Sequence, residues 1–223
     1  MPKESLTAKR ARAAEINAIL EQRYPDAVCA LAYGGDPFRL LVMARLSAQC
    51  TDARVNLVSP ALFARFPNAQ AMAEAPMAEL ESLIRSCGLY KTKAASIKAM
   101  SQMLLDRFGG AVPEEMEDLL ALPGVGRKIA NLMRGDVFGK PAIVSDTHCI
   151  RIAARLGLTK TGETDPYRTE LALNQVIPEP KRADFCHRIV LFGRDVCTAR
   201  SPKCAGCPLR TLCKEYERIQ KVH

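Results

Sequence analysis

The sequence has no apolar run near the roughly 20 residues of a membrane helix, which excludes a spanning segment. It has no internal repeat, no low-complexity tract and no Gly/Ser-rich linker, which excludes collagen, rods and long disordered connectors. The N-terminal residues include bases but no apolar targeting core and no cleavage signal. Glu4 and Glu15 are out of place in a transit peptide. A bacterial-type cytoplasmic location, in contact with the nucleoid, is therefore expected. Acids are short as well: 24 Asp and Glu stand against 32 Lys and Arg, a net charge of +8 with a pI near 9.1. That imbalance favours a polyanionic partner, most often nucleic acid, although many basic proteins bind none.

What remains is an ordinary globule. At 223 residues, 48% apolar and 25% charged, the chain can bury a core without staples, as one large domain or two small ones. Its nine cysteines need an explanation other than disulfides, which do not persist in a reducing compartment.

Most segments read as helices. Residues 7–23 are Ala-rich and close at Tyr24 and Pro25, and residues 38–46 are apolar nearly all round, as in a helix buried mid-domain. Met77, Leu80, Ile84 and Cys87 keep helical spacing and stop at Gly88. Ala94, Ile97, Met100, Leu104 and Phe108 repeat the pattern and stop at Gly109. Pro113, Glu114 and Glu115 open a short helix with acids at its positive end. Asp165 and Pro166 cap another, and residues 185–192 form a last core helix before Gly193. Only residues 142–144 read as a strand, too short to found a sheet. The class is all-α.

Four cysteines cluster at the end of the chain. Cys197, Cys204, Cys207 and Cys213 follow C-x6-C-x2-C-x5-C, and four thiolates on short loops converge on zinc or on an iron–sulfur cluster. Zinc sites often show two C-x2-C pairs and this tail has one, which tilts the reading toward a four-iron cluster. Arg200, Lys203 and Arg210 are the only charged residues between the first and last cysteine. They serve either as counter-charges to the thiolates or as contacts to a phosphate backbone. Cys29, Cys50, Cys87, Cys149 and Cys186 read as small core residues.

Leu122, Pro123, Gly124, Val125, Gly126, Arg127 and Lys128 join two helical stretches through a glycine turn. Gly124 and Gly126 permit positive φ and uncover backbone N–H groups at a helix N-terminus, which bind a phosphate oxygen without reading any base. The plain alternative is an αα-turn that only reverses the chain. Lys128 falls in the first turn of the second helix beside Arg127, where the helix end and the neighbouring cation both favour a neutral, nucleophilic amine. A solvated lysine on a phosphate is the competing reading. Downstream, Asp146 sits at the end of the extended segment, followed by Thr147 and His148. It is either a helix N-cap or a carboxylate that deprotonates an amine or steadies an oxocarbenium ion.

Taken together, the 122–128 turn, Asp146 with Thr147 and His148, and the four-cysteine tail resemble the endonuclease III family of helix–hairpin–helix DNA glycosylases. The likeness runs from about residue 15 to residue 213 and includes Leu46 to Gln49 and Gly88 to Tyr90. It implies two helical domains with a DNA cleft between them. One is a six-helix barrel over 29–140, with the hairpin motif at about 114–136. The other joins 1–28 to 141–223 and holds a [4Fe-4S] cluster in the 197–213 loop. It implies a base-excision enzyme that releases oxidised pyrimidines from damaged duplex DNA and cleaves 3′ to the abasic site, acting as a monomer. Lys128 falls on the nucleophile and Asp146 on the carboxylate that assists base departure. Gln49 falls on the residue that fills the gap left by the flipped base, and Leu89 on the wedge beside the opposite base. Gly124, Val125, Gly126, Arg127, Arg200 and Lys203 fall against the DNA backbone.

Ile129, Arg134, Ser145 and Cys50 depart from the family pattern, and none removes a catalytic group. The nearest rival is an adenine glycosylase of the same superfamily, which usually lacks the lysine and carries a further recognition domain, whereas only residues 214–223 follow Cys213. Mismatch-specific relatives, and a non-catalytic iron–sulfur DNA-binding protein, are weaker rivals.

Overall fold

The structure, a computed structural model, describes residues 4–220. Among them there are twelve α-helices and no strand. No helix is long and apolar enough to cross a membrane. The chain divides into two compact units, one formed by Cys29–Lys140 and the other by the segment up to Val28 together with that from Pro141 onward.

The continuous unit contains α2 (Pro37–Leu46), α3 (Asp52–Arg65), α4 (Ala69–Glu74), α5 (Met77–Ile84), α6 (Tyr90–Phe108), α7 (Met116–Ala121) and α8 (Arg127–Asp136). Asp36 opens α2 by accepting the Phe38 and Arg39 N–H groups, with Pro37 at the first helical position where its missing donor costs nothing. Phe38, Leu40, Leu41, Val42, Met43, Ala44 and Leu46 are all buried, as expected for a helix apolar all round. α2 packs against α3, α6 and α8. α6 ends where Gly109 turns left-handed, at φ +60°.

The discontinuous unit contains α1 (Leu6–Arg23), α9 (Thr147–Leu156), α10 (Pro166–Val176), α11 (Arg182–Asp195) and α12 (Lys214–Gln220). Ala13, Ile16 and Leu20 of α1 share one core with Ile152, Leu173, Phe185, Ile189 and Phe192.

Several sequence expectations need correction. α11 does not stop before Gly193 but passes through it to Asp195, and α12 follows it. Gly193 is there for closeness: a Cβ would lie 2.4 Å from His148 Nδ1 and 2.9 Å from Ile152 Cδ1, so its absence lets α11 approach α9. Residues 142–144 pair with no strand; the Val144 N–H instead donates to Cys186 Sγ at 3.2 Å. α7 begins at Met116, so the acids in its first turn are Glu117 and Asp118, while Glu114 and Glu115 pair with Lys140. Of the five other cysteines, Cys87, Cys149 and Cys186 are buried, but Cys29 and Cys50 are half-exposed.

Candidate functional site

In the continuous unit, α7 and α8 form a hairpin joined by residues 122–126. Leu119 and Leu122 anchor it in the core, and the Val125 N–H closes the turn on Leu122 O at 3.1 Å. Gly124 has φ +80°, and a Cβ there would lie 2.6 Å from Arg45 Nε and 2.9 Å from Ser96 Cβ, so both conformation and space demand glycine. Gly126 differs from expectation: its φ is −99°, an extended N-cap that any residue adopts, and a Cβ there would meet nothing within 4 Å. What Gly126 leaves is open space in front of α8. No side chain caps this helix, and its first backbone bond is from the Ala130 N–H to Gly126 O. The N–H groups of the first turn therefore point outward with the positive end of the helix dipole. Lys128 is exposed in that turn, Arg127 is half-buried and Val125 is buried.

Gln49 and Leu89 share a backbone feature. Among the described residues they are the only two non-glycine residues with positive φ, at 53° and 48°. Left-handed backbone costs an ordinary side chain of order 1 kcal/mol or more, and such strain collects at ligand-binding turns. Both side chains are exposed, Leu89 by 57%. Gln49 lies in the turn after α2, closed by the Cys50 N–H on Ser47 O at 3.0 Å. Leu89 is the N-cap of α6.

Sequence reasoning missed the residue between these turns. Lys93 is fully buried, and its ammonium donates to Leu46 O at 2.7 Å and to Cys87 O at 2.8 Å. Burial pushes its pKa below the ordinary lysine value. Leu46 O belongs to the unpaired carbonyls at the C-terminus of α2, the end that attracts cations. Leaving one such buried carbonyl unpaired costs about 1–3 kcal/mol. The signal was in the sequence: Lys93 stands one helical turn before Ile97, on the apolar face of α6.

In the other unit, Asp146 is the N-cap of α9, its Oδ1 accepting the Cys149 N–H at 2.7 Å. It is half-exposed. His148 lies against Gly193, and its Nδ1 is 3.2 Å from Arg151 Nη2. Ser145 is buried, and its hydroxyl has no hydrogen-bond partner among the described residues.

The four tail cysteines line one cavity of about 100 Å³, together with Arg155, Phe192, Val196 and Tyr216. Four cysteines about one cavity form an all-thiolate donor set, the ligand chemistry of an iron–sulfur centre. Burial raises the thiol pKa values of Cys207 and Cys213, and the negative charges of the other tail cysteines raise them further. A cationic centre in the cavity would offset both effects at these two thiols. Arg155 holds the loop from α9, donating to Cys197 Sγ at 3.4 Å, Thr198 O at 2.8 Å and Ala199 O at 2.9 Å. Arg12 of α1 donates to Leu212 O at 3.0 Å. Arg200 and Lys203 are exposed, with Lys203 Nζ 3.8 Å from Asp195 Oδ1, too long and too wet a pair to hold it firmly.

This combination defines a class. Residues 42–179 match the HhH-GPD superfamily of base excision DNA repair proteins, and residues 197–213 match the iron–sulfur binding domain of endonuclease III. The endonuclease III of Synechocystis is 47% identical over 209 residues, covering 93% of this chain and 94% of the relative. That of Bacillus subtilis is 41% identical, covering 89% and 90%. A solved trapped endonuclease III–DNA covalent intermediate matches with a TM-score of 0.89 at 39% identity, covering 95% of this chain and 98% of that one. The chain belongs to the endonuclease III family. It is a DNA-binding base-excision repair enzyme, a DNA N-glycosylase and abasic-site lyase with a [4Fe-4S] cluster.

Proposed function

We propose that the chain acts as a monomer in the bacterial cytoplasm on damaged double-stranded DNA, releasing oxidised pyrimidines through a lysine imine. Lys128 carries the reading: it is an exposed amine at the uncapped start of α8, behind a turn whose Gly126 leaves open space. A base in a duplex must first be extruded, at a few kcal/mol that falls for a damaged base. Gln49 enters the gap and Leu89 wedges beside the opposite base, a reading supported by their exposure and left-handed backbones. The Lys128 amine attacks C1′ as the C1′–N bond to the base breaks, and the base departs with a proton. The sugar ring opens to the imine. Loss of the C2′ proton then expels the 3′ phosphate. Asp146 assists departure of the base by opposing the positive charge that grows on the sugar.

The uncovered N–H groups at the Gly124–Arg127 turn take a phosphate oxygen, and Arg200 and Lys203 add cationic contacts to the backbone. Val125 contributes by position alone, its side chain being buried and its N–H spent within the turn. Cys197, Cys204, Cys207 and Cys213 hold the cluster. Bound there, it supplies four iron–thiolate bonds that cross-link an otherwise irregular loop.

Borohydride reduction tests the reading, because it fixes an imine as a covalent adduct. Adducts are expected on duplexes carrying thymine glycol or an abasic site. Adducts confined to adenine opposite oxidised guanine would move the substrate to the adenine-specific rival. Base release with no adduct on any duplex would replace the lysine by water.

The capping role of Asp146 separates from its proposed chemistry by substitution. Asparagine caps a helix as well as aspartate does, so Asp146→Asn should change stability by less than about 0.5 kcal/mol. Base release should nonetheless fall roughly a hundredfold, the scale of positioned carboxylate assistance. Asp146→Ala should add about 1 kcal/mol of destabilisation. Full base release by Asp146→Asn would leave Asp146 as a cap alone. Thermal melting and single-turnover excision read the two effects.

A further inference from the structure

We propose that Lys93 is a positioning residue that holds the Gln49 turn and the Leu89 turn as one rigid piece, so that the two residues enter a duplex together. The inference rests on the reading of Gln49 and Leu89 given above. The turns are separate in sequence and belong to different elements, one following α2 and the other preceding α6. Lys93 grips both. Its ammonium bridges Leu46 O, three residues before Gln49, and Cys87 O, two residues before Leu89, while its own N–H donates to Leu89 O at 3.0 Å. A fully buried ammonium with two short carbonyl bonds cannot swing without stranding all three groups.

The same helical turn reaches the hairpin. Ser96 Oγ donates to Lys93 O at 3.0 Å, and Arg45 Nε donates to Ser96 Oγ at 2.7 Å. Arg45 and Ser96 are the side chains against which Gly124 is seated. A run of hydrogen bonds, fully buried at Lys93 and half-buried at Ser96 and Arg45, thus leads from both strained turns to the side chains packed against the hairpin that carries Lys128. It gives Lys93 a function that an apolar side chain of equal volume would not supply: registration of the residues that open the duplex against the one that reacts. A position error near 1 Å costs up to about a hundredfold in such arrangements.

The experiment compares duplex with single-stranded DNA, because a single strand has no gap to fill. Lys93→Met keeps the length and apolar stem and removes every donor. It should lower kcat/KM for incision of a thymine glycol duplex at least about tenfold. It should also reduce the fluorescence rise of 2-aminopurine placed opposite the lesion, and leave borohydride trapping on a single-stranded abasic oligonucleotide within about twofold. Equal losses on both DNAs, or no loss on the duplex, would overturn the proposal. If Lys93→Met does not fold, Lys93→Arg is read by the same ratio, since a planar guanidinium cannot take the place of the ammonium between those carbonyls. Gln49→Ala and Leu89→Ala separate this inference from its foundation. If neither lowers duplex incision, the reading of the turns fails; if both do and the Lys93 variants keep the wild-type ratio, only the role of Lys93 fails.

Discussion

The Lys128→Ala variant is expected to give no borohydride adduct on any lesion and to lose turnover by roughly 10³-fold or more, about 4 kcal/mol of transition-state stabilisation. The side chain is exposed in the first turn of α8, so truncation removes no packing. Alanine also favours the helix more than lysine does, if only slightly. Melting temperature should therefore stay within a degree or two of the parent's, which makes the loss chemical and not structural. Gel mobility should still show binding to an abasic duplex, because the backbone N–H groups of the turn remain. Lys128→Arg should be as inactive: its guanidinium keeps the charge but holds its proton at any working pH, so no neutral amine forms. Adduct formation at full yield by Lys128→Ala would transfer the imine to another amine and undo the assignment.

Removing one cluster ligand should have the second large effect. Cys204 is the least entangled of the four: it opens a short 3₁₀ turn, and its carbonyl, not its sulfur, accepts the Cys207 N–H. Cys204→Ala should therefore leave local backbone bonds intact while taking away a quarter of the donor set. Iron content is expected to fall from about four per chain toward zero, and the broad absorbance at about 400 nm with it. Binding energy at structural metal sites is folding energy, of order 10 kcal/mol where ligands come from irregular loops. Residues 197–213 should become protease-sensitive, whereas Cys29–Lys140, with its own core, should keep its helical signal. A colourless parent protein with one zinc would refute the cluster without touching the chemistry of Lys128.

Much of this was legible from sequence, for identifiable reasons. A helix start was legible where a short polar side chain precedes a proline, as at Asp165–Pro166, while the same signal at Asp36–Pro37 went unused. The class of α2 was legible because only an encircled helix tolerates apolar residues on every face. The hairpin and the cysteine spacing were legible as features, but each left two chemistries open until the family likeness was added. The course of α11 did not, because a glycine near a helix end signals a stop unless one knows that His148 and Ile152 need the room. The roles of Gln49 and Leu89 came from family likeness alone. Their left-handed backbones leave no mark in sequence, since neither position is a glycine. Lys93 left a mark, a cation on an apolar stripe, but its meaning depends on two carbonyls 6 and 47 positions away.

The unit built from both ends of the chain has a consequence for its birth on the ribosome. Ala13, Ile16 and Leu20 on α1 find their cover in α10 and α11, which are synthesised more than a hundred residues later. Residues 29–140 can collapse on their own core as soon as they emerge. The first helix must meanwhile wait with its apolar face open, in reach of chaperones and of neighbouring nascent chains. Premature termination between Lys140 and the start of α10 would thus release a product with one finished half and one sticky, unpartnered helix.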